Sequence, residues 1–238
     1  MQLEIAVVDI AGVAIAADEA ADRIELCTRL DLGGLTASRD LFQESLCGAA
    51  RLLQVHPLVR CRPGDFVYSA GEISTMARQI ATFVTEGAAG VVFGALTCEG
   101  AIDGDGMTRL IDSAREANPQ VEITCHRAID QCRDPLSALL ELAELGVSRV
   151  MSSGGAKTAG AGRVTLAAMH RIADGRLEIM AGGGLKIADI PALKTAGVNA
   201  VSSRPDGRAG DPPPRTGAWS EQPVRHQPER AILRRSPD

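Results

Sequence analysis

The sequence predicts an α/β chain folded as a TIM-like (β/α)8 barrel whose last helix is missing or degenerate, and three observations carry that prediction. Strand-like and helix-like segments alternate through most of the 238 residues. Eight strand-like runs can be counted, beginning near Gln2, Asp22, Pro57, Gly90, Gln120, Ser148, Leu177 and Asn199. Aromatic residues make up 3% of the chain against 45% apolar residues, so the core must be built from Ala, Val, Leu and Ile, which suit parallel strands covered by helices. Eight βα units at this length fit one barrel domain. A doubly wound sheet is the alternative, but it normally has fewer strands and a glycine-rich turn after the first, where this chain has Asp9-Ile10-Ala11-Gly12.

The helical segments follow in order. Ala11 to Ala21 is alanine-rich and stops before the Asp22 turn. Ser38 to Leu53 has a serine start and helical spacing. Ser69 to Thr85 opens with Ser69 and carries Glu72 three residues on, the pattern of a capping box. Asp105 to Ala117 ends at Asn118-Pro119, and Pro135 to Leu145 has proline in its first turn and stops at Gly146. Gly162 to Ala173 and Ile187 to Ala196 close the series. A glycine before the next strand recurs at Gly87, Gly146 and Gly197 and reads as a helix C-cap. The pattern covers residues 1–203, the barrel domain. It breaks near Arg204, after which seven of the twelve prolines fall. From 204 to 238 the composition is that of a Pro/Arg-rich tail, disordered or loosely packed, with no good eighth helix.

Within the strands, charge alternates with apolar residues. Leu3, Ile5 and Val7 share one face and Glu4 the other; Arg23, Glu25 and Cys27 share a face, as do Glu122, Thr124 and His126. Leu58 to Arg62 shows the same alternation, placing Arg60 with Arg62. If helices cover the apolar face, these charges point into the barrel, where charge is costly unless paired or used. An internal ion-pair network accounts for Glu4, Arg23, Glu25 and Glu122 as well as a ligand site does. Arg60, Arg62 and His126 stand nearer strand ends, where a barrel places its active site. Arginine forks suit carboxylate or phosphate, and His126 suits general acid/base work, with Glu25 as its partner, or metal ligation. Ser153-Gly154 after strand six and Gly182-Gly183 after strand seven offer backbone N–H groups to an anion, and Asp130 follows strand five. Cys27 and Cys132, with His126, are thiolate and imidazole donors of the kind that select Cu(I).

Net charge is −5, which argues against a nucleic-acid partner. No apolar run reaches membrane-spanning length, and the N-terminus has no basic segment followed by an apolar one, so a cytoplasmic location is expected. The six cysteines form no C-x-x-C pair and are expected to be thiols. The three lysines lie outside the strands, which disfavours Schiff-base chemistry.

Several motifs together carry a resemblance. Ala21-Asp22-Arg23-Ile24-Glu25-Leu26-Cys27 followed by Gly33-Gly34-Leu35-Thr36-Ala37-Ser38, then Arg60 to Ser69 with its Gly64-Asp65-Phe66 core, Val92-Phe93-Gly94-Ala95-Leu96-Thr97, and His126-Arg127-Ala128-Ile129-Asp130 with Cys132, resemble in order the motifs of the CutC family of copper homeostasis proteins. The chain departs from that family's pattern at Ala37, where the family has proline, at Cys61-Arg62-Pro63, and at Val201, where the family usually has histidine. The resemblance implies a cytosolic, homo-oligomeric TIM-like barrel that binds copper, with Cys27, His126 and Cys132 as ligand candidates. Two functions are therefore expected: a cytosolic copper-binding homeostasis protein, or a lyase- or isomerase-type barrel enzyme acting on a small anionic, phosphorylated or sugar-like metabolite.

Overall fold

A computed structural model describes residues 1–49 and 53–204. Eight parallel strands, β1 (Gln2–Val7), β2 (Arg23–Leu26), β3 (Gln54–Pro57), β4 (Gly90–Phe93), β5 (Glu122–Cys125), β6 (Arg149–Ser152), β7 (Glu178–Gly182) and β8 (Ala200–Ser203), run in the order β3-β2-β1-β8-β7-β6-β5-β4. The remaining seam closes between β3 and β4. Leu58 bridges Val92, the Val59 N–H donates to Val92 O at 2.8 Å, and the Ala89 N–H to Val55 O at 3.2 Å. The sheet is thus a barrel rather than a doubly wound sheet. Among the described residues seven α-helices cover it: α1 (Ile10–Asp18), α2 (Arg39–Gly48), α3 (Ala70–Thr85), α4 (Gly104–Ala117), α5 (Pro135–Glu144), α6 (Arg163–Ala173) and α7 (Ile190–Thr195). The place of an eighth helix and the expected loose tail fall at 205–238, outside the described residues.

Local chemistry explains the helix ends. Ser69 Oγ accepts from the Glu72 N–H while Glu72 Oε2 accepts from the Ser69 N–H, completing the capping box of α3. Asp134 caps α5 by accepting from the Leu136 and Ser137 N–H groups, with Pro135 in the first turn. Gly87, Gly146 and Gly197 close α3, α5 and α7 with φ of 109°, 78° and 86°, a region costly for any residue bearing a Cβ.

The outward strand faces build the core. Ile5 and Val7, Ile24 and Leu26, Ile123 and Cys125 are buried with helix residues such as Ile73, Met76 and Ile80. Burying a side chain of that size stabilises by about 1.5–3 kcal/mol. Inside the barrel the lower, N-terminal end is polar. Arg23 donates to Glu4 at 3.1 Å and to Gln2 at 3.0 Å. Arg149 donates to Glu178 at 2.8 Å, Glu122 at 3.0 Å and Thr124 at 3.2 Å. Burial lifts the Glu4 carboxyl above the ordinary range, outweighing the opposing pull of Arg23.

One strand boundary differs from expectation. The third strand is Gln54–Pro57, not a run starting at Pro57, and the preceding helix stops at Gly48 rather than Leu53. Pairing decides this: Arg23, Ile24, Glu25 and Leu26 of β2 lie opposite Gln54, Val55, His56 and Pro57. His56 therefore takes the inward position expected for Arg60, and Arg60 and Arg62 fall in the loop beyond the strand.

Candidate active site at the barrel mouth

A cavity of about 100 Å³ opens at the C-terminal ends of the strands. Its base is formed by inward strand positions, among them Ala6, Glu25, Met151 and Ser202. Arg60, Phe66 and His126 wall one side, and Arg127, Gly183, Gly184 and Arg204 reach it from the rim. Glu4 and Arg23, both candidate ligand residues, lie outside the lining and are paired with each other.

Glu25 is 6% exposed, and its carboxyl makes no hydrogen bond among the described residues. Burial, reinforced by the Glu4 carboxylate and opposed by Arg204, pushes its carboxyl up to about 8. His126 follows β5, its N–H bonded to Phe93 O at 3.1 Å. The ring packs on Phe66 with centroids 4.6 Å apart. Burial, with help from Arg60, holds His126 down at about 3, so the ring is neutral near pH 7. The Ala128 N–H donates to Nδ1 at 3.2 Å. In a neutral ring that assigns the proton to Nε2. Nε2 is buried and has no partner among the described residues. Gly94 permits this placement, since a Cβ there would stand 2.9 Å from the His126 ring. The cavity is thus lined by a carboxyl pushed up to about 8 and by a neutral imidazole whose buried Nε2–H has no partner among the described residues.

Asp130 does not line the cavity; it organises the rim. Its carboxylate accepts from Ser152 Oγ at 2.5 Å, Ser153 Oγ at 2.9 Å, the Ser153 N–H at 3.0 Å and the Gly155 N–H at 3.2 Å. It also accepts from Arg127 Nε at 2.9 Å, while Arg127 Nη2 donates to Ser153 Oγ at 3.1 Å. Gly154 gives its N–H to Ser152 Oγ at 2.8 Å, so the loop after β6 is satisfied internally. Gly182 lies under Met151, where a Cβ would come within 2.7 Å of the sulfur, and Gly183 is at the rim.

The two arginines expected to hold an anion are engaged elsewhere. Arg60 is buried, stacks 5.0 Å from the Phe66 centroid, and donates to Leu32 O, Gly34 O and Gly64 O at 2.7–3.0 Å. It clamps the loops after β2 and β3 together. Arg62 bonds Glu72 at 2.6 Å and Asp65 at 2.9 Å and lies outside the cavity lining. Their place at the rim is taken by Arg127 and Arg204. Sequence reasoning passed over His56 and Phe66 as site residues, whereas Ser202-Ser203, expected beside the glycine loops as part of an anion site, does line the cavity. The inward parity of Arg149 and Ser202 was readable within their strands; the approach of Phe66 and Arg204 was not, because both lie in loops.

The copper donor set can be tested on this geometry. Cys27 turns its thiol toward Val7 O at 3.7 Å and Cys132 toward Ala128 O at 3.9 Å. Burial, with neighbouring acidic groups, drives both thiols well above the ordinary thiol range, away from the thiolate that binds metal. The Nε2 proton of His126 occupies the lone pair a metal would need. Among the described residues no three His, Cys, Asp or Glu side chains gather into a set able to hold a metal ion. In this arrangement Cys27, His126 and Cys132 do not fit a preformed Cu(I) centre. No helix among the described residues is long and apolar enough to cross a membrane.

Comparison with known proteins agrees with the fold and adds a lineage. A CutC family protein of Vibrio vulnificus is 37% identical over 201 residues, covering 84% of this chain and 79% of the relative. One from Glaesserella parasuis is 39% identical over 196 residues, covering 81% of this chain and 77% of the relative. The crystal structure of CutC from Streptococcus agalactiae superposes with a TM-score of 0.77 at 24% identity, covering 85% of this chain and 97% of that one. The family pattern as a whole matches residues 1–206, and the chain belongs to the CutC family.

Proposed function

We propose that this chain is a barrel enzyme of lyase or isomerase type that moves a proton on a small, oxygen-rich anionic metabolite. The observation that carries the reading is Glu25: a buried carboxyl, without a hydrogen-bond partner among the described residues, held near 8 at the base of an open cavity. A catalytic acid/base works best when its pKa lies near the operating pH. Glu25 has that property because burial sets it there, and a lone buried carboxyl with no partner contributes nothing to folding that an apolar residue would not. Beside it the neutral His126 ring presents Nε2–H to the oxygen on which charge develops, the role of a neutral electrophile. Wild-type protein should catalyse exchange of a carbon-bound hydrogen of small hydroxycarbonyl compounds with solvent deuterium, followed by proton NMR. Glu25→Gln should slow that exchange by about 100-fold or more. Absence of exchange across the compound set, or undiminished exchange in E25Q, overturns the reading.

A second reading keeps copper as cargo. It is supported by the copper homeostasis name attached to the Streptococcus agalactiae relative, and by Cys27, which packs with Leu58 and Leu30 beside the cavity. On that reading the thiol turns away from Val7 O to take Cu(I). Titration with Cu(I) under reducing conditions would show saturable binding that Cys27→Ser weakens; binding unchanged in C27S removes it. For either activity we propose a cytoplasmic homo-oligomer, a reading supported by the family resemblance.

A further inference from the structure

The two glycine loops at the mouth look alike in sequence but differ in what they leave open. After β6, the Gly154 and Gly155 N–H groups are already spent on Ser152 and Asp130. After β7, Gly183 and Gly184 turn the chain with consecutive φ of 93° and 60°, and neither N–H has an acceptor among the described residues. Two adjacent backbone N–H groups without acceptors at the mouth are donors that an anion can take up.

Charge converges on the same place. Arg127 is fixed by Asp130 through Nε and by Ser153 through Nη2, which leaves Nη1 without an acceptor among the described residues. That Nη1 lies against Gly183: a Cβ on Gly183 would fall 2.7 Å from it. Arg204 approaches from the end of β8, held by a bond to Leu30 O at 3.1 Å, and lines the same cavity. Two guanidinium charges match the near-double negative charge of a phosphate monoester better than the single charge of a carboxylate, and its three terminal oxygens can take all four donors. The cavity, about 100 Å³ in all, joins this rim to Glu25 and His126, so only a small molecule can touch both ends.

We infer that the Gly183-Gly184 turn, Arg127 and Arg204 form a subsite for the phosphate group of a small phosphomonoester whose carbon chain descends to Glu25. The carbon end rests on the acid/base reading above; the phosphate end stands on its own donors.

The test uses the full chain, titrated by calorimetry with inorganic phosphate, glycerol 3-phosphate, glycerol and lactate, at ionic strength held constant with chloride. Both phosphates should bind saturably, and glycerol and lactate at least about tenfold more weakly, because glycerol carries no charge and lactate a single one. Arg127→Met should weaken phosphate by about tenfold or more, the loss expected on removing a charge-assisted bond. Since Arg127 also holds Asp130, R127M could fail to fold; Arg204→Glu reverses charge at a half-buried position and should weaken phosphate to a similar degree. Equal binding of lactate and phosphate overturns the inference. So does wild-type phosphate affinity in folded R127M or, if that variant does not fold, in R204E. E25Q separates the two readings: it should bind inorganic phosphate within about twofold of wild type while losing hydrogen exchange. Phosphate binding without exchange in the wild type would retain the subsite and remove the acid/base reading. Exchange without phosphate binding would do the reverse.

Discussion

Replacing Glu25 by Gln should make the protein more stable, increasingly so as pH rises. An unfolded glutamate titrates near 4.5, and Glu25 in the fold near 8. Between those values the unfolded chain has lost the proton and the folded protein keeps it, so folding takes up one proton. The folded pKa is the raised one: the stability Glu25 allows is whole below 4.5 and is lost progressively until pH passes about 8. The slope is about 1.4 kcal/mol per pH unit, which amounts to about 3 kcal/mol at pH 7 and about 5 kcal/mol above the folded pKa. Gln keeps the shape and cannot ionise, so E25Q lacks this loss. Urea unfolding of both proteins at intervals from pH 4.5 to 9 gives the difference curve, which should climb across that window and then level. Parallel stability profiles for the two proteins would refute the buried carboxyl, and with it the chemistry built on Glu25.

Two further outcomes follow from the same geometry. His56 and His126 are both held near 3 from an ordinary value of 6.5, chiefly by burial, with Arg23 and Arg149 repelling charge on His56. These depressed bases act in the opposite sense to Glu25: their stability is whole above 6.5 and is lost as pH falls toward 3, each at about 1.4 kcal/mol per pH unit. His56→Leu should therefore make acid unfolding shallower by one proton, measured as the slope of stability against pH; an unchanged slope contradicts the buried neutral ring. Asp130→Asn should cost about 2–4 kcal/mol in urea unfolding, because it strips charge from a buried acceptor serving Arg127, Ser152, Ser153 and Gly155. A loss below about 0.5 kcal/mol, the range of an ordinary surface change, would show that Asp130 is not the organiser of the rim.

Much of the site was readable because strand alternation is a strict local rule. Glu4, Arg23, Glu25 and His126 are buried where their parity put them, since a one-residue slip would carry every side chain to the wrong face. The same rule misled at Leu58 to Arg62, where the alternation is as clean but the strand has already ended. Alternation marks faces, not ends. The end is set by where Leu26 meets Pro57 and where Leu58 meets Val92, which are facts about other strands. Arg60 and Arg62 also show that a charged residue near a strand end is ambiguous until its partners are known: the carbonyls of Leu32, Gly34 and Gly64 take both terminal nitrogens of Arg60.

Composition and periodicity by themselves determined the barrel, its helix caps and the division of each strand into a covered face and a charged one; the lineage came separately, from the resemblance of its motifs to a known family. These are properties of short stretches of chain, governed by backbone sterics and hydrophobic burial over a few residues. Only the tertiary structure decided which charges neutralise one another and which are left over. At the cavity it leaves Glu25 and His126 Nε2 without a hydrogen-bond partner among the described residues, while Glu4 pairs with Arg23 and Glu122 with Arg149; His56 also lacks one but lies outside the lining. That sorting depends on which strands and loops come into contact across the closed ring, because the cost of a buried charge is set by what surrounds it in space.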